Sequence, residues 1–300
     1  MNEIILNEIK DLLGGANVSL NEIMEPHLSM RVGGPADYYF TPENIEQCAG
    51  LIKILNENNI PYYVLGNATN VIIRDLGFRG AIVHIRDKMS EVTVSEEKVT
   101  AQAGIKLKDL ADIICRESLT GFEFASGIPG SLGGAVTMNA GAYGGEMKDV
   151  VESVTVIDRQ GRIREVKAED ADFSYRHSAF SSGDYLVVSA VLRLKKGNIS
   201  EIQALMDELN ARRADKQPLE YPSCGSTFKR PEGYFAGKLI MDSGLAGARV
   251  GGASVSRKHC GFVINDQGGT ATDVLGLIKL IQRTVKEKFG VELECEVKVL

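Results

Sequence analysis

The sequence lacks the features of several large classes of protein. No apolar run approaches the roughly 20 residues that a membrane-spanning helix needs, so we expect no membrane span. The first residues, MNEIILNEIKDLL, carry acidic side chains and have neither the basic start nor the small-residue cleavage site of a signal peptide, which argues against secretion. The formal net charge of −6 argues against nucleic-acid binding, which needs a broad basic face. An anionic small ligand would instead need a local basic pocket.

Cysteine is scarce and widely spread. The five residues are odd in number and form no C-x-x-C pair, so the sequence predicts neither a disulfide framework nor a zinc site; they are Cys48, Cys115, Cys224, Cys260 and Cys295. The four histidines have no H-x-x-x-H spacing, and we expect no metal site. His177 and His259 are interpreted as packing or substrate-edge residues. A reducing, cytoplasmic location fits this composition best.

The 300 residues, 32.5 kDa in mass, are enough for two or three domains. Short β-rich runs alternate with helical patterns between about residues 29 and 196, which predicts an α+β layout. The predicted strands are Tyr62–Leu65, Ala81–Ile85, Ser153–Ile157, Leu186–Leu194 and a final alternating strand, Val291–Leu300. Helices are predicted near the N-terminus and at Ile45–Asn56, Leu107–Glu117, Ile199–Ala211, Phe235–Asp242 and Asp273–Phe289. The predicted domains are 1–28 (an N-terminal helix and lead-in), 29–196 and 197–300.

Glycine is clustered in loops of the first half of the chain. Three clusters expose backbone N–H groups where a phosphate could bind: Arg31-Val-Gly-Gly-Pro-Ala36, Leu65-Gly-Asn-Ala-Thr-Asn-Val71 and Ser126-Gly-Ile-Pro-Gly-Ser-Leu-Gly-Gly-Ala135, the last continuing to Gly144. A single cluster of this kind is more often a tight turn, but three together favour a dinucleotide. None fits G-x-G-x-x-G, and Gly233–Leu239 misses the Walker pattern, so a Rossmann or P-loop site is not predicted.

Three downstream motifs resemble those of one known family. They are Ser174-Tyr-Arg-His-Ser-Ala-Phe180, Cys224-Gly-Ser-Thr-Phe-Lys-Arg-Pro231 and Leu293-Glu-Cys-Glu-Val297. Together with the glycine loops, they resemble the MurB family of flavoenzymes over about residues 21–299, and the short length resembles its compact type II branch. The resemblance implies an FAD-binding domain of the vanillyl-alcohol-oxidase (PCMH) type in two subdomains, followed by a C-terminal α+β substrate-binding domain.

The same resemblance implies the cofactors and the reaction. FAD would be bound noncovalently, NADPH would be the reducing cosubstrate, and the enolpyruvyl double bond of UDP-N-acetylglucosamine enolpyruvate would be reduced in cell-wall (peptidoglycan) synthesis. The implied FAD-binding residues are Gly66, Asn67, Ala68, Thr69, Asn70, Gly127, Ile128, Pro129, Gly130, Ser131, Gly133, Gly134, Asn139 and Gly141. The first loop reads G-N-A-T-N where the family more often has G-x-G-S-N.

The family's motifs imply three catalytic residues. Arg176 would face the substrate carboxylate, where its guanidinium can form two parallel hydrogen bonds. Ser226 would donate a proton to C2, and Glu296 would complete the site. An ionised Glu296 would repel the developing enolate, so we expect it to act in its neutral form with a raised pKa. Matched or nearby positions that could bind the nucleotide-sugar phosphates are Tyr175, Lys216, Lys229 and Arg230.

Three other classes of protein are alternatives to this interpretation. Another FAD-dependent oxidase or dehydrogenase of the same fold would differ in its C-terminal domain and in the oxygen reactivity of the reduced enzyme. A serine hydrolase using Ser226 is disfavoured because glycine directly precedes the serine and the G-x-S-x-G elbow is absent. A noncatalytic nucleotide-binding module would be distinguished by whether the purified protein is yellow.

Overall fold

The computed structural model describes residues 1–300, which form two compact units. The first unit comprises Met1–Leu20, Tyr38–Asn67 and Gly80–Ala211, and the second comprises Asn21–Asp37, Ala68–Arg79 and Arg212–Leu300. Each unit is thus assembled from segments that are distant in sequence. The domain limits expected from the sequence, 28/29 and 196/197, stay predictions.

The chain contains seven α-helices and eighteen strands. The helices are α1 Glu3–Leu13, α2 Ile45–Glu57, α3 Leu107–Arg116, α4 Leu132–Thr137, α5 Ile199–Lys216, α6 Ala236–Asp242 and α7 Ala271–Phe289. The strands are β1 Val18–Ile23, β2 Pro35–Phe40, β3 Tyr62–Leu65, β4 Val71–Ile72, β5 Phe78–His84, β6 Val92–Ser95, β7 Lys98–Gln102, β8 Leu119–Thr120, β9 Gly141–Ala142, β10 Gly145–Glu146, β11 Val151–Asp158, β12 Ile163–Lys167, β13 Tyr185–Arg193, β14 Lys195–Lys196, β15 Arg249–Val250, β16 Ala253–Val255, β17 Val263–Asn265 and β18 Lys298–Val299.

The first unit is built on a five-stranded antiparallel sheet in the order β12-β11-β13-β7-β6. The central strands are rich in β-branched residues, and both β11 and β13 are largely buried, as expected for strands covered on both faces. Helix α2 begins at Asn44, whose side chain accepts a hydrogen bond from the Gln47 N–H. It buries its apolar face in the same core. Strand β3 pairs in parallel with β5, Tyr62 opposite Ala81.

The second unit places the long helix α7 with a three-stranded sheet, β15-β16-β17. A capping box between Thr270 and Asp273 begins α7, and Gly290 with a φ of 70° ends it. The helix buries Val274, Leu277 and other apolar residues one turn apart in a separate core. The second core therefore has its own amphipathic helix and sheet, as an independent folding unit requires.

Most of the predicted elements are confirmed within one to three residues. Helix α5 continues to Lys216, five residues beyond its predicted end. The predicted strand Val291–Leu300 is wrong as a single element, because only Lys298–Val299 is a strand, paired in parallel with β4. The chain changes partner along this segment, since the Glu296 N–H donates to the Thr227 carbonyl whereas the Lys298 N–H donates to that of Asn70.

None of the seven helices combines the length and the apolar character that crossing a bilayer requires.

Candidate functional site

Two of the predicted FAD loops lie against each other in the first unit. The Asn67 side-chain amide donates to the Pro129 carbonyl at 2.9 Å, which fixes the end of β3 to the loop at Gly127–Gly134. A Cβ atom on Gly66 would lie 2.3 Å from Ser131 Oγ, so any other residue here would have to displace that hydroxyl. The loops that were predicted to bind one ligand are therefore adjacent.

Ser131 has an unusual hydroxyl in this arrangement. Its Oγ is buried and has no hydrogen-bond partner in the protein, although buried polar groups are nearly always paired. A phosphate oxygen of FAD would supply the missing partner, and the adjacent Gly66 gives the backbone room to approach. Gly133 has a different role, because its N–H donates to the Ala103 carbonyl and a Cβ atom there would lie 2.8 Å from that of Ala103. The residues present fit the cofactor.

The loop of Ala68, Thr69 and Asn70 belongs to the second unit. Ala68 has a φ of 50°, in the left-handed region that favours glycine. This accounts for the family's preference for glycine there, and it means that alanine carries backbone strain. Asn70 donates a side-chain hydrogen bond to the Glu296 carbonyl at 3.1 Å, so it helps to position the segment of the second unit that contains Glu296.

Arg176 lies in a tight hairpin of the first unit. Ser174 and His177 exchange backbone hydrogen bonds of 3.1 and 3.2 Å across the turn, and Arg176 has a φ of 55°. Its half-buried guanidinium lies 5.1 Å from the centre of the exposed Tyr175 ring, within cation–π range. A strained, non-glycine residue at such a position is typical of a functional turn.

The backbone segments that contain Ser226 and Glu296 are paired in the second unit. Residues 227–229 and 294–296 run antiparallel, with Phe228 opposite Cys295. The Glu296 N–H donates to the Thr227 carbonyl at 2.9 Å, and the Lys229 N–H donates to that of Glu294. Ser226 is exposed and Glu296 half-buried, so the hydroxyl is open to a ligand. Ser226 is thus the neighbour of Thr227, the residue that lies opposite Glu296, although Ser226 and Glu296 are 70 positions apart in sequence.

Thr227 anchors this pair and was missed by the sequence analysis. It is 2 % exposed; its Oγ1 accepts from the Val263 N–H at 3.0 Å and its N–H donates to the Gly261 carbonyl. A threonine beside a candidate serine was a visible signal, but its partners could not be read from the sequence. Cys224, the other buried neighbour, donates from Sγ to the Val71 carbonyl, and burial raises the pKa of its thiol to about 12. A buried, hydrogen-bonded thiol of this kind has a packing role.

The cationic side chains predicted to bind phosphates have different surroundings. Lys229 forms an ion pair with Glu294, and Lys216 is exposed at the end of α5. Arg230 lies 4.0 Å from the centre of the exposed Phe235 ring. These three belong to the second unit, whereas Tyr175 belongs to the first. An arginine held over an aromatic ring is partly ordered before an anion binds.

His177 and His259, the two histidines singled out from the sequence, have structural partners. His259 accepts a hydrogen bond from the Gly261 N–H and packs edge-on against Phe262, and burial lowers the pKa of its imidazole. His177 Nε2 lies 3.3 Å from an Asp172 carboxylate oxygen. No group of three histidine, cysteine or acidic side chains is arranged to hold a metal ion, and all five cysteines are free thiols.

Comparisons with known proteins identify the two parts of the chain. Residues 36–167 match a family described as an FAD binding domain, and residues 217–300 match the C-terminal domain of UDP-N-acetylenolpyruvoylglucosamine reductase. Enzymes of that name from Lachnoclostridium phytofermentans and Clostridioides difficile are 52% and 48% identical to the chain; each match covers 100% of this chain and 98% of the relative.

Solved structures give the same result. The reductase (MurB) from Thermus caldophilus is similar with a TM-score of 0.80 and 34% identity, covering 94% of this chain and 97% of that one. The glucose dehydrogenase Phl p 4.0202 is 16% identical with a TM-score of 0.53 over 66% of this chain and 45% of that one, so the likeness concerns the fold alone. The predicted fold, an FAD-binding domain followed by a MurB C-terminal domain, is confirmed. The chain belongs to the UDP-N-acetylenolpyruvoylglucosamine reductase (MurB) family.

Proposed function

We propose that this chain reduces the enolpyruvyl double bond of UDP-N-acetylglucosamine enolpyruvate with NADPH, giving UDP-N-acetylmuramate for peptidoglycan synthesis. It is an FAD-dependent oxidoreductase, as the full-length matches to this family indicate. The observation that carries the assignment of residues is the pairing of the Ser226 and Glu296 segments through the Thr227 carbonyl. An oxidase that merely shares the FAD-binding fold has no reason to preserve this second-unit arrangement.

FAD is proposed to bind, noncovalently, at the loops that contain Gly66, Asn67 and Gly127–Gly134, with Ser131 Oγ as a hydrogen-bond donor. Ala68, Thr69, Asn70 and Gly141 are assigned to the same site from the family's motifs. When bound, FAD supplies the means of passing a hydride from NADPH to the substrate. The part of the protein is to hold and orient the ligands and to exclude water.

Arg176 is proposed to bind the substrate carboxylate. Addition of a hydride to C3 pushes charge onto C2 and into that carboxylate, so the transition state is more negative than the substrate. A guanidinium fixed in advance stabilises this charge without reorganising during the reaction. The Ser174–His177 hairpin supplies the fixed position, and the Tyr175 ring supports the guanidinium from one side.

Ser226 is proposed to donate its hydroxyl proton to C2. Serine is a weak acid in water, but the enolate carbon is a strong base, so the transfer is favourable once the two are in contact. Glu296, on the segment paired with residues 227–229, would interact with the same developing charge in its neutral form. Tyr175, Lys216, Lys229 and Arg230 are assigned to the phosphates of the nucleotide sugar, with Lys229 exchanging its Glu294 partner for the ligand.

We also propose a cytoplasmic location. The five free thiols fit a reducing compartment, and both NADPH and a UDP-sugar are substrates of cytoplasmic metabolism.

The function is tested by spectroscopy of the purified protein. It should be yellow, release its colour on acid precipitation, lose its flavin absorbance with NADPH and regain it when the enolpyruvyl UDP-sugar is added. A colourless protein that cannot be reconstituted with FAD would contradict the proposal. Reoxidation by oxygen alone, with no response to the sugar, would favour the oxidase alternative.

The role of Ser226 is tested by Ser226→Ala. The serine has no proposed part in the reduction by NADPH, so bleaching of the flavin absorbance should stay near the wild-type rate. Reoxidation by the sugar should slow by about 10²- to 10⁴-fold, the usual cost of losing a general acid. Ser223→Ala, three residues earlier, is the matched control and should leave both rates unchanged. Equal slowing of both half-reactions would instead indicate a folding or FAD-binding defect.

A further inference from the structure

Asn139 is a fully buried polar residue whose side chain lies between two parts of the first unit. Its exposed fraction is 0 %, and its φ of 43° is in the left-handed region. A buried amide at a strained position is retained only where it forms hydrogen bonds that repay the cost. The family's motifs place Asn139 among FAD-binding residues, but its side-chain contacts lead elsewhere.

All the strong hydrogen-bonding capacity of this amide is used within the protein. Nδ2 donates to Glu146 Oε2 and to the Ser174 carbonyl, both at 3.0 Å, and Oδ1 accepts from the Lys148 N–H at 2.9 Å. Its backbone N–H donates to the Val136 carbonyl at 3.2 Å. The side chain therefore joins the β9–β10 hairpin to the residue that begins the Arg176 turn.

The charge of Glu146 strengthens this connection. The Lys148 ammonium, 2.8 Å away, lowers the pKa of Glu146 most; burial opposes it, and the hydrogen bond from Asn139 and the charge of Arg176 lower the pKa further. Glu146 is thus an anion, and a hydrogen bond from Asn139 to an anion is stronger than one between neutral groups. The same negative charge acts on the Arg176 guanidinium.

The Arg176 hairpin lies largely at the surface of the first unit. Ser174 and Tyr175 are exposed, and the His177 side chain lies near the exposed carboxylate of Asp172 at 3.3 Å. After the turn, the Ser178 hydroxyl donates to the Thr137 carbonyl at 2.7 Å. The Asn139 bond to the Ser174 carbonyl therefore fixes the near end of a turn whose far end is fixed by Ser178.

We propose that Asn139 is a positioning residue, which holds the Ser174–His177 turn so that Arg176 is fixed before the substrate binds. Asn139 acts through Arg176 and Glu146 and is not itself placed against the substrate. The inference rests on the function proposed above for Arg176. It predicts that loss of the side chain loosens this turn and weakens substrate reduction without weakening FAD binding.

Asn139→Ala tests the proposal by hydrogen exchange and kinetics. Amides of residues 172–177 should exchange at least about tenfold faster, and reoxidation by the enolpyruvyl sugar should slow by about 10- to 100-fold. FAD content and bleaching by NADPH should stay near wild type. Asn56→Ala is a matched control, since its amide donates to the Ile52 carbonyl and Tyr62 hydroxyl elsewhere in the first unit; it should leave the exchange of 172–177 unchanged.

A double substitution separates action through Arg176 from a general defect. On the Arg176→Lys background, Asn139→Ala should slow reoxidation by less than about threefold, because the residue it positions is already impaired. A full additional slowing on that background, unchanged exchange in 172–177, or loss of FAD in proportion to activity would each overturn the proposal. A different result would refute the proposed function alone: Asn139→Ala speeds the exchange of 172–177, but the wild-type protein does not respond to the sugar.

A conservative variant covers the case in which alanine prevents folding. Asn139→Asp keeps the shape and the acceptor for the Lys148 N–H, but it places an oxygen against the Ser174 carbonyl and Glu146. Adding Glu146→Gln supplies an amide that can donate to the introduced carboxylate, but it leaves the Ser174 carbonyl without its donor. The double variant should therefore keep fast exchange in 172–177 and slow reoxidation, and full recovery of the reoxidation rate would contradict the bond to the Ser174 carbonyl as the cause.

Discussion

Thr227→Val removes one hydrogen bond at the point where the Ser226 and Glu296 segments meet, and it changes almost nothing else. The two side chains have nearly the same shape, so no cavity is created. The hydroxyl of Thr227 accepts from the Val263 N–H at 3.0 Å, and both residues are essentially buried. In the variant that N–H has no partner and water cannot reach it.

The expected cost follows from this isolation. Leaving a buried donor unsatisfied costs about 1–3 kcal/mol, more than the net value of an ordinary hydrogen bond. For a unit of this size each kcal/mol lowers the melting temperature by roughly 2–8 °C. We therefore expect a clear loss of stability that is confined to the second unit.

This loss is measured by urea denaturation and, separately, by hydrogen exchange of peptides from the second unit. Thr155→Val is the matched control, a half-buried threonine of β11 where valine suits the strand at least as well. Reoxidation by the substrate should also be slower in Thr227→Val, because the Thr227 carbonyl accepts the hydrogen bond from the Glu296 N–H. A Thr227→Val protein as stable as wild type would show that the Val263 N–H finds another partner and would refute the reasoning.

Three further outcomes are expected. Arg176→Lys should lose far more turnover than its conserved charge suggests, because lysine cannot form the two parallel hydrogen bonds to a carboxylate; near-normal steady-state turnover, with Arg159→Lys as the control, would remove Arg176 from the site. Ser131→Ala should weaken FAD binding while leaving the FAD-free protein as stable or more stable in thermal unfolding, since its Oγ is buried without a partner; reduced stability of the FAD-free variant would contradict this. Burial alone raises the pKa of Asp158, but hydrogen bonds from Arg162, Arg164 and Gln160 outweigh it and lower the pKa to about 2. Because the folded-state pKa lies below the unfolded one near 4, this carboxylate stabilises the fold above about pH 4 and loses the effect as the pH falls towards 2. Asp158→Asn should therefore flatten the acid unfolding curve in that window, and an unchanged slope would count against the assignment.

Local patterns were sufficient to predict most of the elements. Strand β3 was predicted with its observed bounds and α2 within one residue, because hydrophobic periodicity is a property of neighbouring residues. The C-terminal segment was mispredicted for the opposite reason. Its alternating pattern correctly indicated extended chain, but its partners, Thr227 and then Asn70, are set by tertiary structure.

The candidate site was predictable as a set of motifs, whereas its supporting residues were not. Glycines mark where a backbone must approach something, so Gly66 was identified although its neighbour Ser131 Oγ could not be paired with it in advance. The unusual Ala68 was noticed as a departure from the family, and the φ of 50° gives the departure a physical meaning. The partners of Asn139 lie 7 and 35 residues away, and no local pattern predicts such a network.

Asn139 and Thr227 have the same structural role in the two units, since each fixes a segment that contains a proposed catalytic residue. Each proposed catalytic segment is short and irregular, with one residue at positive φ, so backbone pairing alone does not fix it. A buried polar side chain instead ties it to the regular structure beside it, by Asn139 to Ser174 and by Thr227 to Val263. Such bonds are strong where water is excluded and specify one arrangement, which a packed apolar side chain does less well. Substitutions at these two positions should therefore change substrate reduction and local hydrogen exchange together, whereas a core substitution such as Leu277→Val should lower stability and leave the folded enzyme's turnover intact.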